Sequence, residues 1–110
     1  WGFVSRQDSA WVEKVCSEPK TMPRILVSHY PMIEEHPLLR TRHRLFGQKK
    51  ILELMKSREI DLSLCGHVHK PYLKVDPTGR CAGSVTRNGS MVEIDYSPES
   101  RNFTFHTINL

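Results

Sequence analysis

The chain has 110 residues, about one domain, of which 38% are hydrophobic and 25% charged. This composition is typical of a soluble globular protein, and no apolar run approaches the roughly 20 residues of a membrane-spanning helix. The formal net charge of +4 favours anionic partners in general: nucleic acid, phosphorylated small molecules or anionic lipid. Three cysteines without C-x-x-C spacing, Cys16, Cys65 and Cys81, favour a reducing, cytoplasmic setting.

The N-terminal part begins with the pattern of an amphipathic helix. Ser5 and Asp8 form an S-x-x-D helix start, and the spacing of the apolar residues that follow predicts a helix over residues 6–17. Those apolar residues are Trp11, Val12, Val15 and Cys16.

Two apolar strands with a helix between them come next. Residues 25–27 and 61–65 predict buried strands, and residues 48–58 predict a helix. The apolar face of that helix consists of Ile51, Leu52, Leu54 and Met55. A strand, crossover helix and strand in this order predict parallel pairing of the two strands.

The last third of the chain has the pattern of an antiparallel β meander. Turn signals occur at residues 76–79, 88–89 and 97–100, and Asn88-Gly89 is a strong hairpin signal. β-type runs lie at residues 72–75, 81–86, 91–96 and 103–108. We therefore expect one domain over residues 1–110, with an α/β part at 1–70 and a β meander at 71–110.

Three histidines follow the two predicted parallel strands. His29 follows the first, and His67 and His69 follow the second after Gly66, a glycine expected where the backbone approaches another group closely. Residues two apart in extended backbone point to the same face, so His67 and His69 would lie side by side. An H-x-H pair alone is more often structural, but parallel strands would bring His29 to the same sheet edge. Neutral imidazole suits zinc, iron, manganese, nickel or copper, so a metal site is predicted here.

The motifs V-S-H-Y-P at residues 27–31 and G-H-V-H at 66–69 resemble the last two metal-binding motifs of the calcineurin-like metallophosphoesterases. Gln7 and Trp11 resemble the Q-x-x-x-W helix of that family, and residues 81–84 look like its small-residue strand. The resemblance covers nearly the whole chain, and the G-H-x-H motif with the upstream histidine is its specific element.

The resemblance implies a fold, a cofactor and an activity. The fold would be the C-terminal half of an αββα sandwich of the α/β class, and the cofactor two divalent ions of manganese, iron or zinc. By motif position His29 and His67 would bind one metal and His69 the other. The ions would activate water to hydrolyse a phosphate monoester or diester in a phosphorylated small molecule or nucleotide.

The chain also departs from the family pattern. Members carry an earlier D-x-H, a metal-bridging aspartate and G-N-H, and neither D-x-H nor G-N-H occurs in this sequence. The chain therefore resembles the C-terminal half of such an enzyme. The bridging aspartate and the proton donor are expected in an N-terminal half, so no catalytic side chain is assigned within residues 1–110.

Two other functions stay open. A nucleic-acid-binding module could use the basic run near residues 40–50, although a solvated loop and helix face explains these charges more simply. That run consists of Arg40, Arg42, His43, Arg44, Lys49 and Lys50. A non-catalytic metal-binding domain is the third option, but it lacks the four ligands of a structural zinc site. His36, His43 and His106 have no motif context, and His106 is expected on a sheet face.

Overall fold

The computed structural model describes residues 2–32, 45–66 and 89–110, and the backbone of residues 71–72 and 79–82. Within these residues two helices and eight strands form a mixed α/β fold, as the sequence predicts. In chain order they are β1 (Gly2–Phe3), α1 (Arg6–Cys16), β2 (Ile25–Ser28), β3 (Leu45–Phe46), α2 (Lys49–Lys56), β4 (Leu62–Cys65), β5 (Pro71–Tyr72), β6 (Gly79–Ala82), β7 (Ser90–Ser97) and β8 (Asn102–Asn109).

Helix α1 begins and ends as the sequence predicts. The Ser5 hydroxyl accepts a hydrogen bond from the backbone N–H of Asp8 at 3.0 Å, which satisfies one of the otherwise unpaired donors of the first turn. The helix ends at Cys16, one residue before the predicted boundary.

Helix α2 packs its predicted apolar face into the core. Ile51 and Met55 are buried there. The helix spans Lys49–Lys56, shorter than the predicted 48–58, because Arg58 has a left-handed backbone conformation with φ of 63°.

The predicted parallel pairing of the two strands is confirmed. Strand β2 runs beside β4 with Ile25 opposite Leu62 and Ser28 opposite Cys65. Both strands therefore point the same way, and their carboxyl ends meet at one edge of the sheet. Helix α2 lies between them in sequence, as a crossover connection requires.

The core lies where the two helices and the sheet meet. It is formed by five buried residues, Cys16, Met32, Ile51, Met55 and Ile60, with Leu26 of β2 packed against them. None of the helices in the described residues has both the length and the apolarity to cross a lipid bilayer.

Strand β6 extends the sheet of β2 and β4. It pairs in parallel with β4 and antiparallel with β5, which gives the strand order β2-β4-β6-β5. The antiparallel partner was expected from the meander pattern, whereas the parallel pairing with β4 was not. Residues 79–82 thus belong to the same sheet as β2 and β4, the strands that precede the two histidine motifs.

The C-terminal hairpin agrees with the predicted strands at 91–96 and 103–108. Strands β7 and β8 pair antiparallel over eight residues each, and the predicted turn near residues 97–100 connects them. Gly89 has the left-handed φ of 61° that its turn signal suggests. The rest of the predicted hairpin between residues 81–86 and 91–96 lies outside the described residues, because 83–88 are not among them.

Two expectations about burial are wrong. Strand β2 was expected to be buried, but Val27 is 74% exposed and Ile25 49% exposed. The reason is that side chains alternate between the two faces of a strand, and only the face that carries Leu26 packs against the core. Trp11 was expected on the buried face of α1 and is 65% exposed, because the helix turns Val12 and Cys16 inward instead.

Candidate metal centre

The carboxyl ends of β2 and β4 are held together by a backbone hydrogen bond. The N–H of Gly66 donates to the carbonyl oxygen of His29 at 3.2 Å, one residue beyond the last paired residues of the two strands. Residues 27–31 and Gly66, the first residue of the G-H-V-H motif, therefore lie at the same edge of the sheet, with the backbones of His29 and Gly66 in contact. Ligands of open α/β sheets bind at this edge.

The backbone around His29 is also fixed by its neighbours. The Ser28 hydroxyl donates to the carbonyl oxygen of Tyr30 at 2.7 Å, which closes a short turn around His29. Pro31 and Met32 are buried directly afterwards, and Met32 belongs to the core. His29 is thus placed by a strand before it and by a buried anchor after it.

The imidazole of His29 lies at the surface beside the ring of Tyr30. The two rings are 5.1 Å apart and nearly perpendicular, at 87°. Gly2 of β1 lies against the Tyr30 ring, where an added Cβ would come within 2.6 Å of two ring carbons. A side chain at position 2 would therefore displace Tyr30 and, with it, a contact of His29.

Gly66 was expected to allow a close approach of another group to the backbone. A Cβ at Gly66 would meet no atom within 4 Å among the described residues, so no protein contact there requires glycine. The expected close approach at Gly66 therefore stays a prediction, since the residues that follow it lie outside the described ranges.

The remaining predicted site residues lie outside the described residues. These are His67 and His69 of the G-H-V-H motif, and Arg40, Arg42, His43 and Arg44 of the basic run. The exposed residues Lys49 and Lys50 are described, and Lys50 Nζ lies 3.8 Å from a carboxylate oxygen of Glu13 on α1.

A surface cleft lies at the opposite edge of the sheet. It is bounded by residues 20–23, by Asp61 and by the β7–β8 hairpin at Tyr96, Arg101 and Phe103. Residues 20–23 and Asp61 precede β2 and β4, so the cleft is at the amino ends of these strands. It is separate from the histidine edge and contributes nothing to the candidate site.

The donor set at the histidine edge fits a divalent transition metal. His29 is exposed, so its nitrogens can reach a bound ion, and the sequence supplies two further imidazoles directly after Gly66. Imidazole nitrogen is a common ligand of zinc, iron and manganese in proteins. Among the described residues no group of three potential ligands includes His29, and Asp61 lies at the other, amino end of β4.

A strand–helix–strand unit with parallel strands, and with His29 at the carboxyl edge of its sheet, is typical of ligand-binding α/β domains. Residues 2–71 match the model of the calcineurin-like phosphoesterase family, so the chain belongs to that family. The family hydrolyses phosphoesters with the help of divalent metal ions, and both histidine motifs fall inside the match. Residues 81–84, which also resembled the family, lie beyond it. A comparison with curated proteins finds no match.

Sequence reasoning missed the residues that position His29. The Ser28 hydroxyl, the Tyr30 ring and Gly2 act through contacts that depend on the folded backbone. Ser28 and Tyr30 belong to the V-S-H-Y-P motif, but the motif does not predict their contacts, and no pattern points to Gly2. A glycine near a chain end carries no local signal of this kind, because its partner is 28 residues away.

Proposed function

We propose that this chain supplies His29, His67 and His69 to a dinuclear metal centre that hydrolyses a phosphate monoester or diester. Manganese, iron or zinc would occupy the centre, and the substrate would be a phosphorylated small molecule or a nucleotide. Acting as one part of the catalytic domain, the chain carries the metal ligands of the last two family motifs. The buried thiols Cys16 and Cys65 are in keeping with a reducing, cytoplasmic location.

The observation that supports this proposal best is the hydrogen bond from Gly66 to His29. At 3.2 Å it joins the two histidine motifs across parallel strands that are 37 residues apart in sequence. Parallel pairing of β2 with β4 brings His29 and Gly66 together, and parallel strands end at the same sheet edge, which favours a shared position for the histidines that follow each strand. A purely structural origin of the histidines offers no reason for this coincidence.

By motif position, His29 and His67 bind one ion and His69 binds the other. When bound, two divalent ions activate water and stabilise the charge that develops on the phosphoryl oxygens. The chain's own residues then hold and orient the histidine ligand. The Ser28–Tyr30 turn keeps the His29 backbone fixed. The Tyr30 ring restricts where the His29 imidazole can turn.

The test is a local measurement of metal binding. Mn²⁺ is added to the isotope-labelled chain, and the broadening of amide NMR signals near His29 and Gly66 is recorded. We expect strong broadening there in the unaltered chain, and its loss in His67→Ala, because removing a ligand costs roughly tenfold or more in affinity. The matched control is His36→Ala, which removes an imidazole without motif context and should leave the broadening unchanged.

The same variant separates the two metal-binding functions from the nucleic-acid-binding function. His67→Ala should remove the Mn²⁺-induced broadening near His29 and Gly66 for a phosphoesterase part and for a non-catalytic metal-binding domain. If the basic run instead makes this a nucleic-acid-binding module, His67→Ala will leave the affinity for a single-stranded oligonucleotide intact. Broadening that is equal in His67→Ala and in the unaltered chain would refute the proposed metal centre.

A further inference from the structure

The outer face of the β7–β8 hairpin carries a cluster of three potential metal ligands. Glu93 and Asp95 lie two residues apart on β7, so they share a face, and His106 of β8 is directly opposite Glu93. All three residues are exposed. The opposite face of the same hairpin carries the partly buried Val92 and Ile94, so the cluster lies on the solvent side.

The ligand atoms of these three side chains are already close together. One donor atom from each lies within 4.8 Å of the other two, and His106 Nε2 is 3.9 Å from Asp95 Oδ2. Donors that are about 2.0–2.2 Å from a tetrahedral zinc ion are roughly 3.3 Å from one another. Rotamer changes of these exposed side chains, which move each donor atom by about 1 Å, would bring the three donors to that spacing.

The chemistry of the cluster favours a transition metal over the harder cations. Imidazole nitrogen is a ligand for zinc, copper and nickel, whereas magnesium and calcium bind oxygen almost exclusively. The two carboxylates offset the charge of a divalent ion, which three neutral imidazoles do not. As an ion pair alone, His106 and Asp95 are too exposed to add much stability, at 61% and 65% side-chain exposure.

We propose that Glu93, Asp95 and His106 bind one divalent transition-metal ion of the zinc type, with water completing its coordination. This site is on the C-terminal hairpin, beyond the residues matched by the family model, and is separate from the histidine edge of β2 and β4. Because its ligands come from both strands, the ion links β7 to β8. It binds the folded hairpin and not the unfolded chain, so it stabilises the hairpin.

The experiment uses Zn²⁺ as the probe and a chain in which His29, His67 and His69 are all replaced by Ala. Calorimetric titration should show about one equivalent of Zn²⁺ bound. Adding His106→Ala should weaken this binding by roughly tenfold or more, since even loss of an outer-shell partner costs that much. Glu99→Gln removes the same charge as Glu93→Gln but lies in the turn after β7, so only Glu93→Gln should weaken binding.

A second measurement avoids the triple substitution. Co²⁺, a paramagnetic substitute for zinc, is added to the unaltered chain, and amide signals of residues 90–97 and 102–109 are followed. We expect selective broadening on both strands near Glu93 and His106, and its loss in His106→Ala. Zinc binding that His106→Ala and Glu93→Gln leave unchanged, or the absence of Co²⁺ broadening on the hairpin, would overturn the proposal.

Discussion

The backbone of His29 is held by hydrogen bonds on both sides of the residue. Its carbonyl oxygen accepts from Gly66, and the Ser28 hydroxyl closes the turn onto Tyr30. A ligand held in this way loses little conformational freedom when a metal binds, which lowers the entropic cost of binding. The described groups that would prepare His29 for the proposed role are therefore the Ser28 hydroxyl, the Tyr30 ring and Gly66.

Cys16 offers a pH-dependent signature of the core. Burial raises the pKa of its thiol above the ordinary value of about 8.5, an effect that the charge of nearby Arg24 only partly offsets. The free energy of unfolding should therefore fall as the pH rises above about 8.5, because the unfolded chain then releases a proton that the folded chain retains. Denaturant unfolding measured between pH 7 and pH 10 tests this expectation.

The control for this prediction is Cys16→Ala. It lowers stability at every pH, since it leaves a small cavity in the core, but it should flatten the alkaline part of the curve. Alkylation of Cys16 by iodoacetamide at pH 9 should also be much slower in the folded chain than in denaturant. A pH dependence that is identical in Cys16→Ala and in the unaltered chain would show that the thiol does not contribute.

At the scale of elements, the amino ends of β2 and β4 are joined by Asp61. One carboxylate oxygen accepts from Lys20 Nζ at 2.7 Å, and the other accepts from the backbone N–H of Arg24 at 2.8 Å. The side chain of Arg24 also pairs with Glu59 at 2.9 Å. The strand pair is thus fastened at its amino ends by Asp61 and at its carboxyl ends by the His29–Gly66 hydrogen bond.

We expect Asp61→Asn to lower the free energy of unfolding by about 1–3 kcal/mol, because it removes a charge-assisted hydrogen bond and mismatches a second one. Denaturant unfolding at neutral pH in the presence of a chelator measures the change. Asp95→Asn, on the exposed face of the hairpin, is the matched control and should change stability by less than about 0.5 kcal/mol. Equal effects of the two substitutions would mean that Asp61 does not fasten the strands.

Strand β2, which precedes the proposed ligand His29, lies at the edge of the described sheet. The apolar side chain of Val27 is 74% exposed. Among the described strands, β2 pairs with β4 alone. An apolar, exposed edge strand is a site where another strand tends to pair. The exposure of β2 is in keeping with the expectation that this chain is one part of a larger catalytic domain.

At the scale of the whole molecule, the charge of the proposed metal ligands bears on how much catalysis the chain can support. The three motif histidines are neutral when they bind metal, so they leave the charge of two divalent ions uncompensated at close range. A bridging carboxylate supplies that compensation in dinuclear centres, and the sequence lacks the D-x-H and G-N-H motifs that go with it. The histidine edge alone should therefore hold at most one ion, and loosely.

We therefore expect the isolated chain to hydrolyse phosphoesters poorly. With Mn²⁺ present, the rates for para-nitrophenyl phosphate and its bis-ester should stay close to those of the metal alone. His67→Ala serves as the control, and its rate should equal that of the unaltered chain. A robust Mn²⁺-dependent rate that disappears in His67→Ala would show that these 110 residues are sufficient for catalysis.

The sequence by itself determined the features that depend on local pattern. The S-x-x-D start of α1, the apolar face of α2, the two parallel strands and the hairpin near residues 97–100 all follow from periodicity and turn chemistry. The two histidine motifs could be placed at one sheet edge for the same reason, because parallel strands end together.

Only the tertiary structure decided which faces are buried and which distant residues meet. Packing between segments far apart in the chain decides three features that the sequence did not predict. These are the exposure of Val27 and Trp11, the parallel pairing of β6 with β4, and the contact of Gly2 with Tyr30. The grouping of His106 with Glu93 and Asp95 depends on the strand register of the hairpin, which a one-residue shift would abolish. Sequence periodicity reports the face a side chain takes on its own element, whereas its neighbours across elements are set by the fold.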